Sequence, residues 1–406
     1  MKIGVFFNAK KSGGGAYQYA ITFLEALKKR ERDDFIIFNA SPDLPAEFRN
    51  DRQFKIIELS ETTRSFKMPP LLKLADHFIH ESLLRGRLFG LLNFYDKTFR
   101  NKKLIAFIKG QNLDLMIFTS PYVLAAQLPL PTIVPIHDVQ HKLQKRFPEM
   151  NSGRPYLNKE YICSQITKHA NVILVDSEIG KADVLACYKI KPAKIAILPF
   201  LPPDYLIQSP KDELIQSFKK RYNLPERFLF YPAQFWPHKN HINLVKALAF
   251  LKKEGITIDL VLTGGQQNKW GVYKKIMEIA DERQIRRQLH FLGYVENEEI
   301  SMLYKLAAAL IMPTFLGPTN IPVLEAWQMG CPVLYSAVRG CREQAGDAAL
   351  LFNPFDPSDI ADKIKTLWQN ENLRRQLIAN GKNRLRLWTK QKFIDRINEL
   401  IKQYEK

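Results

Sequence analysis

The sequence predicts an α/β protein made of two successive parallel-sheet units. Three observations carry this prediction. Strand-like runs are apolar without alternation, helical stretches lie between them, and the whole pattern restarts after a proline-rich break near residue 200. Strands covered on both faces lose the polar–apolar alternation of a half-exposed sheet, and intervening helices are the crossovers that parallel pairing requires. The chain has 406 residues. At about 100–200 residues per domain it is long enough for two cores.

The first unit opens on Lys2–Asn8, a short apolar run of the buried-strand type. Ser12-Gly13-Gly14-Gly15 follows, then a helical pattern with Ile21, Leu24 and Leu27 inside and Lys28, Lys29 and Arg30 at its end. Further strands are expected over Phe35–Ala40, Lys55–Leu59, Asp114–Ser120, Thr132–His137, Val172–Ser177 and Ile195–Phe200, with helices at Pro155–His169 and Ile179–Tyr188. Leu198-Pro-Phe-Leu-Pro-Pro203 breaks regular structure and reads as a linker. Strands then recur at Phe228–Tyr231, Ile258–Leu262, His290–Tyr294, Ala309–Met312, Pro332–Tyr335 and Ala349–Phe352. Helices are expected at Ile242–Lys253, Trp270–Asp281, Glu298–Ala308, Val323–Met329 and Ser358–Gln369, with Gly255 and Gly330 as stops and Pro357 as a start. The expected domains are 1–200 and 201–385, followed by a helix over 386–406 able to pack back on the first. Ligands of such folds bind beyond the carboxyl ends of the strands, and a cleft between two facing sheets is the default active site.

Composition narrows the class. The chain is 46% hydrophobic and 25% charged, which excludes a disordered tail, a collagen and a polytopic membrane protein. Sixty Lys and Arg against 41 Asp and Glu give a formal net charge of +19, the mark of an anionic partner. The four cysteines form no C-x-x-C pair, so neither a zinc knuckle nor a dithiol motif is present, and a reducing compartment is expected. Ile3–Phe7 is too short for the core of a signal peptide, and no run reaches the ~18 apolar residues of a membrane span. The expected location is cytoplasmic, peripheral at most at the inner membrane face.

The stretch Thr62–Lys109 departs from the α/β rhythm. It holds ten Lys and Arg against three Asp and Glu, a net +7 within a first unit whose residues 1–200 carry +11. The same stretch carries Leu71, Leu72, Phe78, Ile79, Leu83, Leu84, Leu88, Phe89, Leu91, Leu92, Phe94 and Tyr95. Apolar bulk with basic charge at helical spacing fits a helix docking on anionic lipid; it equally fits a surface helix pair with a solvated basic face.

Four loops carry candidate chemistry. Gly13, Gly14 and Gly15 precede a helix, where close backbone approach and a positive dipole end suit a phosphate or a sugar hydroxyl. Gln18 and the lack of a following Lys-Ser/Thr exclude the dinucleotide and Walker A fingerprints, and a tight structural turn accounts for these glycines as well. His137-Asp138 ends a strand, where the pair could contact a substrate hydroxyl, shuttle a proton or merely cap a helix. Phe235-Trp-Pro-His238-Lys239-Asn240 sits at the corresponding place in the second unit; Lys239 could reach a diphosphate or stay solvated, and Asn240 could cap a helix. Met312-Pro-Thr-Phe-Leu-Gly317-Pro-Thr319-Asn320-Ile321-Pro322-Val-Leu-Glu325 is the richest. Its loop N–H groups and helix start form an anion site, and Glu325 could accept hydrogen bonds from a ribose diol or simply complement the helix dipole.

Taken together, these loops resemble the retaining glycosyltransferases of the two-Rossmann (GT-B) type, group 1, family 4. Val134–Glu149 resembles that family's acceptor-side loop. Val175-Asp-Ser177 with Ile195–Pro199 resembles the end of its first domain, and Gly340–Leu351 with Pro354 its closing donor-side segment. The resemblance covers nearly the whole chain. It implies two Rossmann-like domains facing across a cleft, with acceptor on the first and nucleotide-sugar on the second. The chain departs from the family at two places. Gln234 stands five residues before Lys239, where an Arg is usual, and Gly317 stands where the first of two paired glutamates would be.

The implied function is transfer of a hexosyl or deoxyhexosyl group, with retention, from a nucleotide-diphosphate sugar to a glycan or lipid-linked saccharide in cell-envelope polysaccharide synthesis. Lys239, His137 and Gln234 are the expected catalytic residues. Glu325, Thr319, Asn320, Ile321, Gly317, Gly14 and Gly15 are the expected donor-binding ones. No Asp-x-Asp triplet occurs, so no obligatory divalent metal or other cofactor is expected. An anionic membrane surface is an expected partner through 62–109; nucleic acid is not, since no basic ribbon interleaved with aromatics is found. The rival reading is a non-catalytic nucleotide-sugar-binding protein of the same fold, motivated by the absent Glu and Arg. A nucleotide-sugar epimerase is a further alternative.

Overall fold

The computed structural model describes residues 1–59, 70–207, 210–265 and 269–405. The chain divides into two compact units, Met1–Pro199 with Lys390–Lys406, and Phe200–Thr389. Each unit is built on its own parallel sheet, as the continuous apolar runs predict.

In the first unit the strands are β1 (Lys2–Phe7), β2 (Asp34–Asn39), β3 (Phe54–Glu58), β4 (Leu115–Phe118), β5 (Thr132–Pro135), β6 (Val172–Val175) and β7 (Ile195–Ile197). They lie in the order β3-β2-β1-β4-β5-β6-β7, with every pairing parallel. Ile3 stands opposite Phe35 on one side and Leu115 on the other. Phe6, Phe38, Met116, Phe118, Val134 and Ile173 fill the core on one face. The terminal helix Lys390–Lys402 belongs to this unit, with the Phe393 ring edge-on to Phe23 at 6.2 Å. Arg30, nearly fully buried, donates to Asp33 at 2.5 Å, Asn398 at 2.7 Å and Glu405 at 3.0 Å, which ties this helical end to the sheet.

In the second unit the strands are β8 (Phe228–Pro232), β9 (Asp259–Thr263), β10 (Leu289–Gly293), β11 (Ala309–Met312), β12 (Val333–Ser336) and β13 (Leu350–Phe352). Their order is β10-β9-β8-β11-β12-β13, again all parallel. Phe230, Leu248, Leu262, Ile311 and Trp327 are among its buried core.

One feature of topology positions function in both units. Strand order reverses between β1 and β4 in the first sheet, and between β8 and β11 in the second. Loops leaving adjacent strands at such a reversal run to opposite sides and leave a crevice at the carboxyl edge. The stretch read as basic and apolar lies outside the described residues over 62–69. Beyond it the chain forms helices Pro70–Arg85 and Phe89–Tyr95, a π-helical stretch Asp96–Arg100 and helix Lys102–Lys109.

Candidate active site

Two of the predicted loops leave the second sheet at its reversal point, residues 233–240 after β8 and 313–320 after β11. They are stitched together. Phe315 donates its N–H to the His238 carbonyl at 2.8 Å, and Thr314 Oγ1 reaches the same oxygen at 3.3 Å. Tyr231, at the end of β8, donates its hydroxyl to the Lys239 carbonyl at 2.8 Å. Asn240 takes a left-handed conformation, φ 61°, and its amide donates to the carbonyls of Pro313 and Pro354, each at 2.8 Å. It therefore does not cap the following helix His241–Lys253 with its side chain, as read from sequence; it fastens three loops. Lys239 is half-buried on this platform. Burial pushes the Cys341 thiol up to about 12, and the ammonium of Lys239 acts against that rise. An added Cβ at Gly317 would meet Asn320 Nδ2 at 2.8 Å and that sulfur at 3.0 Å.

The second loop is held by an amide. Gln344 Oε1 accepts from the Asn320 N–H and its Nε2 donates to the Asn320 carbonyl, both at 2.9 Å, a side-chain copy of a strand pairing. Asn320 Nδ2 donates to the Tyr335 hydroxyl at 2.6 Å, and that hydroxyl donates to Gln344 at 2.8 Å. The expectation that Asn320 offers its backbone N–H to a ligand is corrected here, because Gln344 already holds it. Ile321 opens the helix Ile321–Gln328, where helical geometry leaves the first N–H groups without intrahelical partners. Gly317 and Pro318 sit against Gly340. A Cβ there would lie 2.4 Å from the Gly317 carbonyl oxygen and 2.6 Å from the Pro318 Cα. Thr319 lies half-buried between them and Asn320.

Glu325 is buried one turn into that helix. Tyr205 donates to one carboxylate oxygen at 2.8 Å and Tyr304 to the other at 2.7 Å. Burial raises the carboxyl pKa, and the two phenols oppose the rise by bonding to the ionised form. A carboxylate offers about four acceptor positions, so a diol can join the two phenols. Gln234, expected near a leaving phosphate, has its Oε1 accepting from the Gly265 N–H at 3.1 Å, which turns its amide nitrogen into the available donor end.

The first sheet's reversal point holds the other predicted residues. Gly14 precedes the helix Gly15–Leu27 with φ 56° and ψ −117°, a conformation side chains other than glycine's resist. The dihedral angle, not crowding, calls for glycine, since an added Cβ would meet nothing within 4 Å. Gly15 starts the helix and is exposed. At the carboxyl edge of the adjacent strands, Ser120 beyond β4 hydrogen-bonds Asn8 beyond β1. His137 follows β5 with its ring edge-on to Tyr19 at 5.0 Å, and burial lowers its pKa to about 4, so it is neutral near pH 7. For Asp138 burial opposes ionisation, but Lys159 at 2.6 Å and the Gln140 N–H at 2.9 Å prevail and hold the pKa at about 2. This carboxylate is thus engaged structurally.

The helices over 70–109 expose apolar side chains among basic ones. Leu74, Phe78, Leu91 and Phe94 are each more than half exposed, joined by Leu88 and Phe99. The three acids over 70–109 are all in ion pairs, Asp76 and Asp96 with Arg100, and Glu81 with Arg154. Among the described residues no helix is long and apolar enough to cross a membrane, and no group of His, Cys, Asp or Glu could hold a metal ion.

Sequence reasoning missed Tyr205, Tyr304, Gln344 and Gly340's contact. The first two lie 120 and 21 residues from Glu325, and Gln344 lies 24 from Asn320, with no local pattern to link them.

Residues 212–384 match the family model described as glycosyl transferases group 1. The serotype-specific mannosyltransferase WbdA of Escherichia coli is 26% identical over 282 residues, which is 68% of this chain. The chain spans only 33% of WbdA's own length. The O-antigen chain mannosyltransferase RfbU of Salmonella typhimurium is 22% identical over 366 residues, 88% of each chain. Among solved structures, Anabaena HepE in complex with UDP and glucose superposes with a TM-score of 0.73 at 14% identity, covering 99% of both chains. The fold is that of the GT-B glycosyltransferases.

Proposed function

We propose that this protein is a retaining glycosyltransferase that moves a hexosyl or deoxyhexosyl group from a nucleotide-diphosphate sugar to a glycan or lipid-linked saccharide in cell-envelope polysaccharide synthesis. The observation that carries the reading is the pairing, at the second sheet's reversal point, of a lysine loop with a glycine–asparagine helix start, one turn ahead of a buried glutamate. The group 1 match over the same residues supports it, and the names of the relatives favour a mannosyl group.

As the anomeric bond breaks, negative charge builds on the diphosphate and positive charge on the sugar ring. Fixed donors aimed at that developing charge lower the barrier. Lys239, the N–H groups at Thr319 and Ile321 and the Gln234 amide fill that role, while Glu325 holds the ribose diol. At Gly317 a side chain has no space, since a Cβ would meet Asn320 Nδ2 at 2.8 Å and Cys341 Sγ at 3.0 Å, so this position offers the sugar backbone alone. His137, Gly14 and Gly15 contact saccharide or donor in the first unit. With retention, an oxygen of the departing phosphate accepts the proton of the acceptor hydroxyl. The scheme requires no obligatory divalent metal. Titration with UDP-, GDP- and dTDP-sugars, beside a donor-hydrolysis assay, tests it; tight binding without turnover on any acceptor would favour a non-catalytic binder.

Replacing Tyr304 by phenylalanine removes one of the two hydrogen bonds on Glu325. Loss of about 1 kcal/mol of positioning predicts a donor KM raised about fivefold with kcat little changed. The ionised carboxylate is the form that accepts the diol, so donor affinity falls as pH drops through the raised Glu325 pKa. The phenol favours ionisation, so the Tyr304→Phe variant should lose affinity at higher pH than the parent. Profiles of KM against pH measure this, and superimposable acid limbs would dissociate Tyr304 from the site.

The reading extends to an anionic bilayer at the inner membrane face as a docking partner for the basic, apolar helices after residue 70. Flotation with vesicles containing phosphatidylglycerol should recover the protein, and Phe78→Ser with Phe94→Ser should abolish recovery. Equal recovery with neutral vesicles would remove the electrostatic part.

A further inference from the structure

The first unit holds a cavity of about 290 Å³ with mixed polar and apolar walls, apart from the glycine loop and His137. Its walls include His80 on one helix, Asp96 and Arg100 on the π-helical stretch, Tyr122 beyond β4, and Asn158 and Ile162 on the helix Gly153–His169. Tyr122 stacks on Phe6 of β1 at 4.8 Å and 17°, which sets this wall near the carboxyl edge of β1 and β4. Asp96 is almost completely buried. The Tyr161 hydroxyl donates to its Oδ2 at 2.8 Å, and Arg100 Nη1 reaches its Oδ1 at 3.4 Å. These take two of the roughly four acceptor positions a carboxylate offers. A π-turn is costly to place, and single π-turns recur at functional sites. Here it presents Asp96 and Arg100 to the same cavity.

Charge selects the ligand class. Arg100 stands between two carboxylates, Asp96 and Asp76. Burial, and then Arg100, push the His80 pKa down, so the imidazole is neutral near pH 7. Glu81 and Arg154 also act on His80, so with Asp76 behind Arg100 an anion entering here would face three carboxylates against two guanidiniums. A neutral polyol fits better. Its vicinal hydroxyls meet the carboxylate, its oxygens meet Arg100 and the Asn158 amide, and its C–H face meets Tyr122 and Ile162. The volume is just below the ~300–1,000 Å³ of pockets for drug-sized molecules, room for one ring rather than a chain.

We infer that this cavity binds one neutral monosaccharide unit, which, on the proposed function, belongs to the acceptor. The test uses the full chain with methyl α-mannopyranoside and methyl α-glucopyranoside as probes, read by saturation-transfer NMR and titration. At least one glycoside should bind the parent. Asp96→Asn and Asn158→Leu should each weaken it by about tenfold or more, through a lost charge-assisted bond or a filled cavity. Nucleoside diphosphate affinity should stay unchanged in both. Asn158→Leu carries the test if Asp96→Asn fails to fold. No binding of either glycoside, equal binding by parent and variants, or competition by inorganic phosphate would overturn the inference. Loss of nucleotide binding by the parent would instead overturn the glycosyltransferase reading, so the two failures are distinguishable.

Discussion

Replacing Lys239 by alanine should lower kcat by about 10²–10³, the cost typical of deleting one fixed donor to a developing charge. The loop carrying Lys239 is fastened on three sides, by Tyr231, by Phe315 and by the Asn240 amide. Its backbone need not move when the side chain is cut back, so the loss reports on the ammonium itself. Donor KM should change less than kcat, because the charge it meets grows as the bond breaks. Steady-state rates at saturating donor measure the effect. A change below about twofold would place Lys239 outside the reaction.

The second large effect is expected from a single methyl group. In Gly340→Ala the new Cβ would stand 2.4 Å from the Gly317 carbonyl oxygen and 2.7 Å from that of Pro318. Both are backbone atoms, so no side chain can swing aside. The loop before Asn320 has to shift, and a displacement near 1 Å at a positioned site costs about 10²-fold in rate. We expect kcat/KM to fall by at least that factor, with circular dichroism unchanged and nucleotide affinity reduced. A variant keeping more than about a tenth of parent kcat/KM would show that the Gly317 loop is not part of the reacting geometry.

The contrast between what sequence reveals and what it conceals follows from the range of each interaction. Strands such as Val172–Val175 and Ala309–Met312 are covered on both faces and read as unbroken apolar runs. Their identity is written locally. The loops at the reversal points were legible as well, because glycine, proline and asparagine at a strand's end have few other uses. Helix Glu371–Leu387 escaped because it is polar nearly all round and carries Gly381 in its interior. The structure supplies the reason for that glycine. A Cβ there would lie 2.3 Å from the Trp327 ring, so the helix gives up propensity to let Trp327 pack. Asp212–Arg221, with buried Ile215 and Phe218 among charged neighbours, was hidden by the same polarity.

The site was legible to the same depth. Lys239, Asn320 and Glu325 stand out within their own loops, but the groups that orient them come from far away in sequence. Tyr205 reaches Glu325 across 120 residues, and Gln344 grips Asn320 from a different helix. A tyrosine in a linker and a glutamine in a short helix carry no local mark of such duty. Burial alone distinguishes them, and burial is a property of the folded chain.

The most direct test of the central claim, that the loops after β8 and β11 hold a pyrophosphate while its glycosyl group departs, is a crystal structure of the protein with a nucleoside diphosphate. The account predicts phosphate oxygens within hydrogen-bond distance of Lys239 Nζ and the Ile321 N–H, with the ribose diol on Glu325 beside Tyr304. A nucleotide bound elsewhere, or seated there with its phosphates turned away from Lys239 and its ribose out of reach of Glu325, would contradict it.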